Sequence, residues 1–253
     1  MTLNPFSLKG KTALVTGSSR GLGAGIALAL AEAGAQVALH GSKSVRQATQ
    51  DQIAQTGVRS ACFVGDISEE SVCSQLIDQV LAEFGAIDIL VNNAGTTRRS
   101  PAEEFSLEDW NLVLATNLTS VFRLTQLAGK HMLARGSGKI INIASLLTFQ
   151  GGVLVPAYAA AKGGVGQLTK AFANEWAPKG INVNAIAPGY MDTELTEPLM
   201  SNPERARQIL ERIPAGNWGK PSDLGGAAVY LASSASNYVH GHILAVDGGW
   251  LAR

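Results

Sequence analysis

Cysteine is nearly absent from this chain of 253 residues. There are two, Cys62 and Cys73, and their number and spacing fit neither a disulfide framework nor a metal-ligand pattern. Excess charge of either sign is absent too. Twenty basic residues balance twenty acidic ones, so there is no electrostatic footprint for nucleic acid or for an anionic membrane surface. No apolar run reaches the length of a membrane span. The stretch from Met1 to Lys11 lacks the apolar block of a secretory signal. Repeats, low-complexity tracts and linker-like breaks are missing as well. Charged residues make up only 16% of the chain against 46% hydrophobic ones, which argues against disorder and supplies a large core. The expectation is one domain over residues 1–253, cytoplasmic, acting on a small molecule and not on nucleic acid or a membrane.

What is present is a regular alternation of short apolar runs and helical tracts. Strands are expected at Thr12 to Thr16, Gln36 to His40, Ala61 to Val64, Ile87 to Val91, Lys139 to Ala144, Ile181 to Ile186 and Ile243 to Val246. Helices are expected between them, including a long tract from Leu107 to Arg135 and one carrying Tyr158 to about Ala177. Ser68 is expected to cap the helix that Glu69 and Glu70 open. Residues 190–218 are richer in charge and breakers and read as a helical insertion or lid. Such alternation implies an α/β fold: a doubly wound, mostly parallel sheet of about seven strands, with helices on both faces. Ligands of such sheets bind beyond the C-terminal ends of the strands, and the unusual residues of this sequence collect there.

Gly17, Gly21 and Gly23 form a glycine-rich turn between the first strand and the helix after it. Free N–H groups and the dipole at that helix start favour a phosphate, although a glycine-rich turn by itself also fits a plain loop. Asp66 follows the third strand, Asn92 to Gly95 the fourth, Ser145 the fifth, and Pro188-Gly189 the sixth. Tyr158 and Lys162 are four residues apart on a helix and share a face, among Ala157, Ala159, Ala160, Ala161, Gly163 and Gly164. A phenol ordinarily holds its proton to about pH 10. A cation held beside it favours the phenolate, so the pair can move a proton. Alone, it also fits a surface tyrosine beside a solvated lysine.

Taken together, Thr16-Gly17-x-x-x-Gly21-x-Gly23, Asp66, Asn92-Asn93-Ala94-Gly95, Asn117, Ser145, Tyr158-x-x-x-Lys162 and Pro188-Gly189 resemble the short-chain dehydrogenase/reductase family, in the family's order and over nearly the whole chain. The resemblance implies a single-domain Rossmann-type fold, an NAD(P) cofactor and hydride exchange with a secondary alcohol or ketone. Narrower stretches, among them Asn142 to Gly152, Ala187 to Met191, Ile213 to Gly219 and Asp247 to Arg253, resemble its sugar-acid branch of deoxygluconate and gluconate dehydrogenases. A reductase of another carbonyl compound, such as a 3-oxoacyl thioester, is the alternative. A cofactor-binding regulator without chemistry is a more distant one, opposed by the intact Asn117, Ser145, Tyr158 and Lys162 set.

The implied roles are these. Tyr158 is the acid/base, Lys162 lowers its pKa and binds ribose, Ser145 donates to the substrate oxygen, and Asn117 holds a relay water. The cofactor is expected on Gly17, Ser19, Arg20, Gly21, Leu22, Gly23, Ser42, Lys43, Asp66, Ile67, Asn93, Ala94, Gly95, Pro188, Gly189 and Thr193, besides Tyr158 and Lys162. For the substrate, Arg98 suits a carboxylate, with Gln150 and Trp218 as sugar contacts beside Ser145 and Tyr158. The second strand ends Leu39-His40-Gly41-Ser42-Lys43 with no acid to bind a ribose diol. Ser42, Lys43 and Arg20 suit a 2′-phosphate, so the expectation leans to NADP over NAD. His40 can approach the ribose without discriminating. The four histidines show no metal spacing, and no metal is expected. The family also implies a homotetramer, built on the helix from Leu107 and on the apolar tail from Ile243 to Leu251.

Overall fold

The computed structural model describes residues 4–253; Met1 to Leu3, the start of the stretch read above for a signal, lie outside them. Seven strands, β1 (Thr12–Val15), β2 (Gln36–Gly41), β3 (Ser60–Val64), β4 (Ile89–Asn92), β5 (Gly138–Ile143), β6 (Ile181–Pro188) and β7 (Ile243–Val246), form one parallel sheet. Their order is β3-β2-β1-β4-β5-β6-β7. Helices α1 (Gly21–Glu32), α2 (Gln47–Gln55), α3 (Glu70–Phe84), α4 (Leu107–Leu114), α5 (Ser120–Arg135), α6 (Pro156–Trp176), α7 (Glu197–Met200), α8 (Pro203–Leu210) and α9 (Gly225–Ala232) fill the connections.

Strand periodicity explains the two layers. Successive side chains of a strand point to opposite faces, so a strand covered on both must be apolar throughout. Ala13 and Val15 of β1 and Ile89 and Val91 of β4 pack with Ile26, Leu30 and Leu231 of α1 and α9. Leu14 and Leu90, the residues between them, pack on the other face with Leu76, Leu124 and Met132 of α3 and α5. Each such side chain contributes about 1.5–3 kcal/mol by leaving water. At the edge, β3 alternates exposed and half-buried residues, and β7 stays half-covered.

Strand order reverses between β1 and β4. Beyond their C-terminal ends the crossovers diverge to opposite faces and leave a crevice. The site is built there.

One local expectation is refined and another corrected. The tract from Leu107 to Arg135 is helical throughout, as expected, but α4 and α5 are joined by a π-helical turn at Ala115–Thr119 that contains Asn117. Ser68 does not cap α3, which begins after Glu69 with no side-chain cap. Its hydroxyl donates to Asp66 Oδ1 at 2.8 Å instead, because a carboxylate two residues back is a stronger acceptor close at hand. Residues 190–218 carry the short helices α7 and α8. Leu199, Ile209 and Ile213 there form a small apolar cluster with Leu146 and Trp250.

Candidate active site

One cleft of about 1350 Å³ opens over the ends of β1, β4, β5 and β6. That volume exceeds the 300–1,000 Å³ of an ordinary ligand pocket and can admit a dinucleotide with a second small molecule. Every residue expected at the site lines this cleft except Asn117, which is fully buried behind it, and Trp218.

The two turns at the crevice are fastened to each other. The Thr16 hydroxyl accepts from the backbone N–H groups of Asn93 and Ala94 at 3.0 and 3.1 Å. Asn93 Nδ2 donates back to the carbonyls of Thr16 and Gly17 at 2.8 and 3.1 Å. Gly17 takes a left-handed φ of 62°, and a Cβ there would come 2.7 Å from Ala94 Cα. A Cβ on Gly23 would lie 2.4 Å from both Asn93 Nδ2 and the Gly17 carbonyl. These glycines are required by the close approach of two loops. The helix start they open has no side-chain cap at Arg20, so first-turn N–H groups of α1 are left for an anion. Thr193 sits above this turn, its Cγ2 3.8 Å from where a Gly21 Cβ would be.

His40 holds the turn from beneath, a role that sequence reasoning did not assign. The ring is buried; Nδ1 accepts from Gly17 N–H at 3.2 Å and Nε2 lies 3.0 Å from the Gly65 carbonyl. A carbonyl only accepts, so Nε2 carries the proton and Nδ1 is free to accept. Burial lowers the pKa of His40 below the usual histidine value, which favours this neutral form. His40 therefore packs under the turn instead of reaching toward a ribose.

Asn117 is a bracket for the neighbouring loop. Its Oδ1 accepts from Thr96 N–H at 2.8 Å and its Nδ2 donates to the Thr96 carbonyl at 2.7 Å. The π turn places the amide where both bonds are made.

Ser145, Tyr158 and Lys162 converge at the other end of the cleft. Ser145 Oγ accepts from Leu147 N–H at 3.1 Å, so the hydroxyl caps the turn Leu146–Thr148 and keeps its own proton to donate. Burial pushes the Tyr158 phenol above the usual tyrosine value, while the Ser145 hydroxyl and then the Arg99 charge draw it down. Lys162 Nζ is 5.6 Å from the Tyr158 ring centroid and donates to the Ile143 carbonyl at 2.6 Å. Burial lowers its pKa to about 8, so it remains largely protonated at neutral pH. Arg99 is thus a cation that eases the phenol from the cleft side, with Lys162 buried below the ring.

Arg98 does not present a free guanidinium. It pairs with Asp109 at 3.1 Å and donates to the Thr97 carbonyl at 3.0 Å. Arg99 lines the cleft with no ion pair among the described residues. Gln150 lines it too, its Oε1 taken by Trp250 Nε1 at 3.3 Å. Trp218 stands outside the lining, edge-on to Tyr190 at 5.5 Å between ring centroids.

A family model described as enoyl-(acyl carrier protein) reductase matches residues 17–251. The solved structure of a short-chain type dehydrogenase/reductase from Mycobacterium marinum is 39% identical, with 99% of each chain covered and a TM-score of 0.94. The chain belongs to the short-chain dehydrogenase/reductase family. Within that family, the 2-dehydro-3-deoxy-D-gluconate 5-dehydrogenase of Bacillus subtilis is 58% identical over 98% of this chain and 97% of its own. A gluconate 5-dehydrogenase from Burkholderia cenocepacia, solved in complex with NADP and tartrate, is 40% identical over the full length of both chains, with a TM-score of 0.93.

Proposed function

We propose that this short-chain dehydrogenase/reductase interconverts a hydroxyl and a keto group on a sugar acid of the 2-dehydro-3-deoxygluconate, 2-deoxygluconate or gluconate type, with NAD(P) and a lean to NADP. The observation that carries the reading is the meeting in one cleft of a proton-moving group, Tyr158 with Ser145, and an uncapped, glycine-lined helix start. The residues fit a dinucleotide: Gly17 and Gly23 leave no room for side chains, and no side chain caps the first-turn N–H groups of α1. In this reading Gly17, Ser19, Arg20, Gly21, Leu22 and Gly23 hold its phosphates, Ser42 and Lys43 its adenosine ribose, and Asp66 and Ile67 its adenine. Asn93, Ala94, Gly95, Pro188, Gly189, Thr193, Tyr158 and Lys162 flank the nicotinamide half.

When bound, the cofactor accepts or returns a hydride. Tyr158 takes the alcohol proton at its phenol oxygen in one direction and gives it back in the other. Ser145 donates to the same substrate oxygen, where negative charge grows in reduction. Arg99 favours the phenolate and faces the cleft as the group for a substrate carboxylate. Asn117 fixes the Asn93 to Thr96 edge, and its proposed relay water would connect Lys162 to solvent.

Apolar side chains in the lining, Leu147, Val153, Leu195 and Leu199, favour a 3-oxoacyl thioester as the second reading. Unpaired Arg99 favours the acid. Turnover of sugar acids and of a 3-oxoacyl thioester, each with both cofactors, separates the two. Faster turnover of the thioester would sink the sugar-acid reading.

The homotetramer and the cytoplasmic location belong to this proposal. An exposed apolar groove between α5 and α6, lined by Leu118, Phe122, Gly164, Leu168 and Ala171, supports assembly, as does the half-covered β7 edge. The free thiols of Cys62 and Cys73 suit a reducing compartment. No helix among the described residues is long and apolar enough to cross a membrane.

A further inference from the structure

An acidic side chain, Glu194, stands between two cations of the cleft. Glu194 follows Thr193 in the segment over the glycine turn, and its carboxylate bridges two arginines from different elements. Oε2 meets Arg20 Nη1 at 2.7 Å, and Oε1 meets Arg46 Nη2 at 2.7 Å. Arg20 precedes α1 and Arg46 precedes α2. Both line the cleft beside Ser42, Lys43 and Ser44, where β2 ends. Arg46 is held there: its N–H donates to Ser19 Oγ at 3.0 Å, and the Thr49 hydroxyl donates to the Ser19 carbonyl at 2.9 Å. The segment carrying Glu194 is tied down as well, by the Thr193 N–H bond to Thr196 Oγ1 at 3.2 Å and by the Thr196 hydroxyl on the Met191 carbonyl.

We propose that Glu194 determines cofactor specificity by occupying the arginine pair that would otherwise receive the 2′-phosphate of NADP. A guanidinium binds carboxylate and phosphate through the same planar fork, so the two anions compete for Arg20 and Arg46. A dianionic phosphate arriving there also meets the Glu194 charge. NAD brings no anion to this position and escapes both effects. Glu194 thus holds the protein nearer to dual use than its cations alone dictate. This inference rests on the nicotinamide-cofactor reading above.

The test uses the full chain and two ligands that differ only in the 2′-phosphate, adenosine 5′-monophosphate and adenosine 2′,5′-bisphosphate, titrated calorimetrically at low salt. Breaking one exposed ion pair shifts an equilibrium by up to about fivefold. Glu194→Gln is therefore expected to tighten the bisphosphate by about threefold or more and to leave the monophosphate unchanged. Adding Arg46→Gln is expected to remove the gain, since the released guanidinium is what the phosphate uses. No change for the bisphosphate, or an equal change for both ligands, overturns the proposal and leaves Glu194 a strap for the loop. A wild-type chain that binds neither ligand overturns the cofactor reading, and the proposal with it.

Discussion

Tyr158 has to change protonation in surroundings that resist charging it. Burial raises its pKa, and Ser145 and Arg99 offset part of the rise. The phenolate, the form that accepts a proton, therefore gains population only as pH climbs. Oxidation of the alcohol should increase with pH through the neutral range, and reduction, which needs the protonated phenol, should hold at neutral pH and fall in alkali. Rate profiles in the two directions check this; an oxidation rate that declines from pH 6 to 8, chosen as roughly the neutral window, would count against Tyr158 as the base. Tyr158→Phe keeps the ring and removes the proton carrier, so turnover should drop by about 10²–10⁴ while dinucleotide binding stays. Arg99→Ala should move the alkaline rise of oxidation to still higher pH and raise KM for the acid. Arg98→Ala, whose guanidinium is held by Asp109, should leave the profile in place. Equal effects of the two substitutions would show that the charge near the phenol is not specific to Arg99.

At the scale of elements, the sequence was most readable where a motif ends a strand. Gly17 to Gly23, Asn93 to Gly95, Ser145 and Pro188-Gly189 all lie at C-terminal strand ends, and a parallel sheet brings such ends together whatever the loop details. Less readable were partners fixed only by packing. His40 sits one residue before a glycine at the end of β2, and nothing in that neighbourhood reveals that Gly17 and Gly65 lie against its two ring nitrogens. Arg46 and Glu194 are more than a hundred residues apart, and only the overlying loop brings them together. The break at Asn117 hid inside an apolar helical pattern, because a π turn changes the period by one residue and no residue type announces it. His40→Leu fills the same space but leaves the Gly17 N–H and the Gly65 carbonyl without partners. Each orphaned group costs about 1–3 kcal/mol, and each kcal/mol lowers Tm by about 2–4 °C in a chain of this size. Thermal unfolding should register the loss, together with weaker dinucleotide binding. An unchanged Tm would mean that water satisfies both groups.

At the scale of the molecule, the reversal of strand order between β1 and β4 decides where ligands go. Alternation of apolar runs and helices was sufficient to expect a parallel sheet with ligands at its C-terminal strand ends, but not the order of its strands. Surfaces turned away from the cleft were only partly foreseeable. The long helix and the tail were expected to assemble the protein, and exposed apolar side chains do lie on α5 and α6 in the groove around Phe122. Closed symmetric oligomers pack a shared patch against itself. Phe122→Glu, which would bury unpaired carboxylates at such a contact, should therefore reduce the sedimenting mass. A wild-type chain that sediments as a monomer would remove the assembly from the account.

The central claim, a sugar-acid oxidoreductase using NAD(P), is tested most directly by following reduced-nicotinamide absorbance with 2-deoxygluconate, gluconate and 2-dehydro-3-deoxygluconate in turn, with NADP and with NAD. The account predicts formation of the reduced cofactor with at least one of these acids, a kcat/KM no lower with NADP than with NAD, and loss of the signal in Tyr158→Phe. No change in absorbance with any of the three under either cofactor, from a folded protein that binds the dinucleotide, would contradict it.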